Sequence, residues 1–274
     1  MSNNVKQFIE KEAIQIRQDY DFLDPEIDLF RLGEELGIEI KTQSQTSHGI
    51  SGALIRSGNN FMIYYASSIN NIPYQRFSIG HEFGHYFLPE HPENILKNDA
   101  HFSSAGSGSK DRYEREADYF STCLLMPKSL FEQEMYKYND GMEAIKSLAS
   151  IFNTSLTSTA IRYIELTEVP AMLVISSNGL VDAVFSTKEL RKFGQCLYAK
   201  NSVFPSKNIV SIEILRREIY LNDWIDTNHS IKALEESVTL GSYEKTLTIV
   251  TTNTIYDEIE EGLSDEIWAP PSFK

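Results

Sequence analysis

The chain has 274 residues, which at ~100 to 200 residues per domain is one large domain or two modest ones, each able to bury a core. Hydrophobic residues at 41%, aromatic residues at 11% and charged residues at 23% are globular values that set aside disorder, collagen and coiled coil. With 25 basic and 39 acidic side chains the formal charge is -14, a field that repels phosphate backbones and anionic lipid, so direct nucleic-acid binding starts as a poor expectation.

In chain order, residues 1–20 mix charge into every turn and lack the apolar segment of a secretory signal. An amphipathic helix is predicted over 5–18, from Val5, Ile9, Ile14 and Ile16. A second is predicted to start at Asp24 as N-cap with Pro25 at N1, to carry Ile27, Leu29, Leu32 and Leu36, and to end at Gly37. Strands follow over 38–41, 52–56 and 61–65, the last two joined by the turn Ser57-Gly58-Asn59-Asn60. A third helix over 74–88 stops at Pro89, and 90–110, rich in Pro, Asn, Ser and Gly, reads as a surface loop. Helices are predicted over 111–125, 128–138, 142–152 and 159–167, before a boundary at Val169-Pro170. Beyond it, strands over 171–176 and 180–185 flank Ser177-Asn178-Gly179, and 247–252 is another strand. The acids Asp257, Glu258, Glu260, Glu261, Asp265 and Glu266 read as a solvated helix and tail. No apolar run reaches the ~18 to 20 residues that cross a bilayer, and Cys123 and Cys196 are too few for a disulfide framework. A cytoplasmic protein with buried, inert thiols is expected.

The third helix contains His81-Glu82-Phe83-Gly84-His85, the HExxH pattern. Four residues apart on a helix, two imidazoles stand one turn above each other and can converge on one metal ion. Glu82, beside them, is placed to act as general base toward an attacking water. Gly84 costs about 1 kcal/mol against Ala in mid-helix, a sign that something packs closely there.

A third ligand is expected from 111–127. Glu114 and Glu116 lie about 200° apart around that helix, so only one can face the metal. Glu114 shares its face with the small or polar Ala117, Asp118 and Ser121, and is taken as the ligand. Glu116, followed by Tyr119, Phe120 and Cys123, is expected to face away. Asp118 would hold the distal nitrogen of a ligating histidine. Two histidines and a glutamate in an open tetrahedral site suit zinc.

Arg76-Phe77-Ser78-Ile79-Gly80 leading into HEFGH, then Glu114-Arg115-Glu116-Ala117-Asp118 and Leu124-Leu125-Met126-Pro127, closely resemble the ImmA/IrrE family of bacterial and phage metallopeptidases. Ser51-Gly52-Ala53-Leu54, Thr159-Ala160-Ile161-Arg162-Tyr163 and the hairpin from Ala171 to Phe185 are also similar to that family, whereas the last hundred residues match it loosely. Ser121-Thr122-Cys123 departs from its Ala-rich usage at a position that concerns packing. The resemblance implies an α+β fold: a zincin-like helical peptidase domain with a small N-terminal sheet over 1–168, then a smaller α+β regulatory or sensing domain over 169–274. It also implies a zinc-dependent endopeptidase with a gluzincin-like third glutamate, cutting a DNA-binding transcriptional repressor in regulated proteolysis.

Weaker signals are weighed beside it. His91, His101 and Tyr113 flank the expected site and are read as loop residues without catalytic duty, oxyanion stabilisation being the alternative. The helices 142–152 and 159–167 resemble a helix-turn-helix, which opens the alternative of a DNA-binding regulator. Lys146 and Arg162 are nearly its only bases and Glu143, Glu165 and Glu168 oppose them; for Arg162 a structural ion pair is expected. A metal-binding interaction module without proteolysis is a further alternative, against which stands the intact Glu82.

Overall fold

The computed structural model describes residues 1–43, 50–96, 98–103, 111–204, 213–240 and 245–256. The acidic run 257–266 and residues 104–110 of the expected loop lie outside them. The chain divides into two compact units, 1–137 with 147–159, and 138–146 with 160–274, and mixes helices with antiparallel and mixed sheets in an α+β fold.

In the first unit, α1 (Asn3–Asp19) buries a stripe of Ile9, Ala13, Ile16 and Arg17. Arg17 donates from Nη1 to the Leu124 carbonyl at 2.9 Å, and from Nη2 to the carbonyls of Asp24 and Pro25. Arg76 likewise donates to the Ile27 carbonyl at 2.9 Å. These acceptors are ones a helix starting at Asp24 would use itself, so α2 (Leu29–Leu36) begins four residues later than predicted. Asp28 is its N-cap, accepting from the amides of Phe30 and Arg31 at 3.0 Å. Gly37 ends it at φ 67, as expected of a left-handed cap.

A four-stranded sheet follows in the order β1-β3-β2-β4. Here β1 (Glu39–Gln43) runs parallel to β3 (Asn60–Ala66), while β2 (Gly52–Ser57) pairs antiparallel with β3 through the predicted hairpin. Next come α3 (Ile72–Phe87), capped by the Asn71 side chain accepting from the Tyr74 amide at 3.0 Å, the short α4 (His91–Ile95) and β4 (Ala100–Ser103). The last two replace the surface-loop reading of 90–110 at 91–95 and 100–103. β4 pairs with β2, Gly52 opposite Ser103 and Leu54 opposite His101, and a four-residue strand of Ala-His-Phe-Ser has no alternation to announce it. Asp111 caps α5 (Arg112–Leu125), accepting from the Tyr113 amide at 2.7 Å, and α6 (Lys128–Met135) follows Pro127. Ile9, Ile27, Leu32, Leu54, Ile63, Phe83, Phe120 and Phe131 are at most 1% exposed in this unit's core.

Two further helices, α7 (Met142–Ile151) and α8 (Leu156–Leu166), lead into the second sheet. In it, β5 (Ala171–Ser177) and β6 (Leu180–Ser186) form the predicted hairpin, with Asn178 and Gly179 at φ 50 and 76 as a two-residue loop of type I′ requires. After α9 (Lys188–Phe193) and the two-residue β7 (Gln195–Cys196) come β8 (Leu215–Tyr220), β9 (Ile225–Asp226), which pairs β7, β10 (Lys232–Thr239) and β11 (Lys245–Thr251). The five-stranded sheet runs β6-β5-β11-β10-β8, with every pair antiparallel. Met172, Val174 and Val250 pack with Leu190, Phe193, Trp224 and Ile231 on one side of it. Sequence reading missed β8 and β10 because both carry charge. Glu235 and Glu236 are 3% and 1% exposed, and the register sets them opposite Arg217 and Arg216, which pair with them at 2.8 and 2.7 Å. Cys123 is fully buried in the first unit and Cys196 half-buried in the second.

Candidate metal centre

Residues 78 to 85 of α3 are all buried. His81 and His85 stand one turn apart with their Nε2 atoms 3.0 Å from each other. From the first turn of α5, Glu114 reaches both, with Oε2 3.4 Å from His81 Nε2 and Oε1 3.3 Å from His85 Nε2. One ligand atom from each of the three lies within 4.8 Å of the others. The histidines are 0% and the Glu114 side chain 16% exposed, so the cluster is not sealed. Asp118, one turn beyond Glu114, sits 2.9 Å from His81 Nδ1. Glu116 is not one of the three converging residues; it accepts from Arg112 Nε at 2.8 Å and lies 3.3 Å from Nε2 of His91.

This convergence depends on two glycines of α3. A Cβ on Gly84 would stand 2.9 Å from Cα and 3.2 Å from the carbonyl oxygen of Ala117, and one on Gly80 would stand 2.5 Å from Oγ of Ser121. Ser121 uses that space to donate to the Phe77 carbonyl at 2.8 Å, which gives the departure at 121 its packing role. In Gly84→Ala, the gain of about 1 kcal/mol in helix propensity is offset by overpacking of roughly 1 to 3 kcal/mol against backbone that cannot swing aside. A net loss of up to about 2 kcal/mol is expected, with weaker metal retention; thermal melting checks it, and a variant more stable than wild type would show slack between α3 and α5.

Glu82 lies against β2. A Cβ on Gly52 would come within 2.7 Å of its Oε1, so the glycine makes room for the carboxylate. Both Glu82 oxygens are buried and neither has a well-formed hydrogen bond among the described residues, the Ser103 hydroxyl lying close enough to ease the charge. Burial pushes this carboxyl up to about 7 against the pull of His81. Burial likewise drives His85 down to about 3, with His81 and His101 adding to it. At His81 burial acts downward too, but hydrogen bonds to Asp118 and Glu114 outweigh it. Glu114 resists its own burial through contacts with His101, His81 and His85, which hold it well below the usual carboxylate range.

The two Nε2 atoms and the Glu114 carboxylate draw together beside the buried Glu82 carboxyl. They fit a divalent cation with an adjacent water: two neutral nitrogen donors, one carboxylate oxygen and a base beside the open position.

Two residues read as duty-free loop positions belong to this centre. His101, on β4, places Nε2 2.8 Å from Glu114 Oε1 with its ring centroid 4.8 Å from that of His85. His91, the first residue of α4, is fully buried with Nδ1 3.1 Å from His85 Nδ1, and the Tyr113 ring packs edge-on against it at 4.9 Å. One trace of this was in the sequence: four of the six histidines fall between positions 81 and 101. Arg162, fully buried as a side chain, pairs with Glu165 at 2.9 Å as expected.

A helix with two histidines one turn apart and a glutamate between them, met by a carboxylate from a second helix, has the layout of the HExxH metallopeptidases. Residues 33–163 match the model of the IrrE N-terminal-like domain, Peptidase_M78, which supports the ImmA/IrrE family for this part of the chain. A solved structure of a Mycobacterium tuberculosis transcriptional regulator is similar with a TM-score of 0.55 at 14% identity, covering 90% of this chain and 76% of that one; the likeness is one of fold. No curated protein matches the chain.

Proposed function

We propose that the protein is a zinc-dependent endopeptidase that cuts one protein partner at a specific site, the partner being a DNA-binding transcriptional repressor. The observation that carries the peptidase reading is the buried Glu82 carboxylate beside the convergence of His81, His85 and Glu114. In this reading His81, His85 and Glu114 hold the zinc, which supplies Lewis acidity to a peptide carbonyl and to water. Glu82 takes the proton from the attacking water and passes it to the departing amine, a double transfer that its burial, by disfavouring the charged form, assists. Asp118 orients His81. His101 touches Glu114 yet keeps its side chain 22% exposed, and is assigned to the carbonyl oxygen as it gains charge.

A peptidase acting inside its own cell must be restricted in what it cuts. A repressor is basic and complements the formal charge of -14, which speeds encounter in a salt-dependent way. Residues 169–274 are assigned the regulatory or sensing part. The helix-turn-helix alternative is weakened because Arg162 is buried and ion-paired, which takes a base away from any phosphate.

The test is incubation of the purified protein with a repressor encoded beside it, with and without chelator, and mapping of fragments by mass spectrometry. Cleavage at one site that chelator abolishes is expected. Efficient digestion of generic unfolded proteins would refute the restricted substrate, and chelator-resistant cutting would refute the metal mechanism.

A further inference from the structure

His81 and His85 turn their Nε2 atoms toward each other, which leaves each Nδ1 to be satisfied on the far side of the ring. For His81 that partner is the Asp118 carboxylate at 2.9 Å. For His85 it is a second imidazole, since Nδ1 of His91 lies 3.1 Å away. His91 in turn sets Nε2 3.3 Å from Oε2 of Glu116, whose Oε1 accepts from Arg112 Nε at 2.8 Å. His85 and His91 are 0% exposed and Glu116 is 7% exposed, so bulk water does not compete along this line. The edge-on Tyr113 ring at 4.9 Å restrains the His91 plane.

The order of hydrogens follows from the far end. A carboxylate such as Glu116 only accepts, so the hydrogen between it and His91 sits on His91 Nε2. A neutral His91 then has its lone pair on Nδ1, and the single hydrogen between the two Nδ1 atoms belongs to His85. With Nδ1 protonated, His85 carries its lone pair on Nε2, the form a metal ligand needs; Glu114 Oε1, 3.3 Å from that Nε2, favours the opposite tautomer without a cation, and His91 biases the ring toward the ligand form.

We propose that His91 and Glu116 are positioning residues that act in series on His85, fixing its tautomer and ring orientation as Asp118 does directly for His81. The role rests on the reading of His81, His85 and Glu114 as a metal site. It gives Glu116, which is not one of the three converging residues, a function there through one intervening ring.

Zinc titration of the metal-free full chain against a competing chromophoric chelator tests it. His91→Phe fills the volume but offers no acceptor, and should weaken zinc binding about 10- to 100-fold. His91→Asn puts an amide oxygen near the place of Nδ1 and should restore most of that loss. Glu116→Leu should also weaken zinc binding, Glu116→Gln far less because it still accepts, and adding Glu116→Leu to His91→Phe should cost little more than His91→Phe alone. Wild-type affinity in both His91→Phe and Glu116→Leu would overturn the relay and leave these residues as core packing, whatever their melting temperatures. Imidazole nitrogen shifts of the zinc-loaded wild type give a second readout that needs no variant: His91 protonated at Nε2 with its lone pair on Nδ1 is expected, and protonation at His91 Nδ1 overturns the proposal. Zinc binding by the wild type that His81→Ala abolishes separates the two readings; if the wild type binds no zinc, the metal site and the relay fall together.

Discussion

Glu82→Gln is expected to keep the fold and the metal while losing peptide hydrolysis by about 10²- to 10⁴-fold, the range for removal of a general base. An amide has the shape of the carboxylate but cannot take the proton from the attacking water. Undiminished turnover in this variant would sink the assigned role. A thermodynamic signature accompanies the kinetic one. Burial raises the Glu82 pKa to about 7 in the metal-free protein, while an unfolded glutamate titrates near its ordinary value of about 4.3. Between those values the folded state binds more protons than the unfolded one, so this group's contribution to stability falls as pH rises through the window. Glu82→Gln removes that dependence. The metal-free variant should therefore melt above metal-free wild type at pH 8, by a margin that shrinks toward pH 5, and an equal margin at both values would mean the carboxylate is better solvated than the structure shows.

His81→Ala and His85→Ala are each expected to abolish stoichiometric zinc binding, because two remaining protein ligands do not make a site that competes with water and chelator. Glu114→Gln should weaken binding sharply, since its two oxygens reach both histidines at 3.4 and 3.3 Å. Asp118→Asn, one bond further out at His81 Nδ1, should cost roughly 10- to 100-fold. Metal analysis of the purified variants gives the ranking directly. Tight zinc binding in Glu114→Gln together with its loss in Glu116→Gln would reverse the assignment of the two glutamates.

Those two glutamates also show how far sequence reaches. Two residues apart on one helix they must point to different sides, and the small residues sharing the face of Glu114 indicated which side meets α3. The HExxH spacing did the same for His81, Glu82 and His85, because a helix converts a spacing of four into a shared face without help from the rest of the chain. Gly84 likewise signalled a close approach, met by Ala117.

Other features depend on partners distant in sequence. The start of α2 moved from Asp24 to Asp28 because Arg17 and Arg76, on two other helices, take the carbonyls of Asp24, Pro25 and Ile27. Strands β8 and β10 read as polar segments until register sets each buried glutamate opposite an arginine. β4 exists only by pairing with β2, and that pairing carries His101 to Glu114. His91 reaches His85 because the chain turns after Pro89, with Glu90 at φ 68, and buries the ring. Local periodicity and spacing thus determined the longer helices and the two hairpins, and singled out the four residues of the candidate chemistry, all through interactions within a few turns; the short α4 and α9 were not legible. Tertiary structure alone decided which further histidines and carboxylates surround them, since a strand edge or a buried polar group takes its identity from whatever lies opposite it.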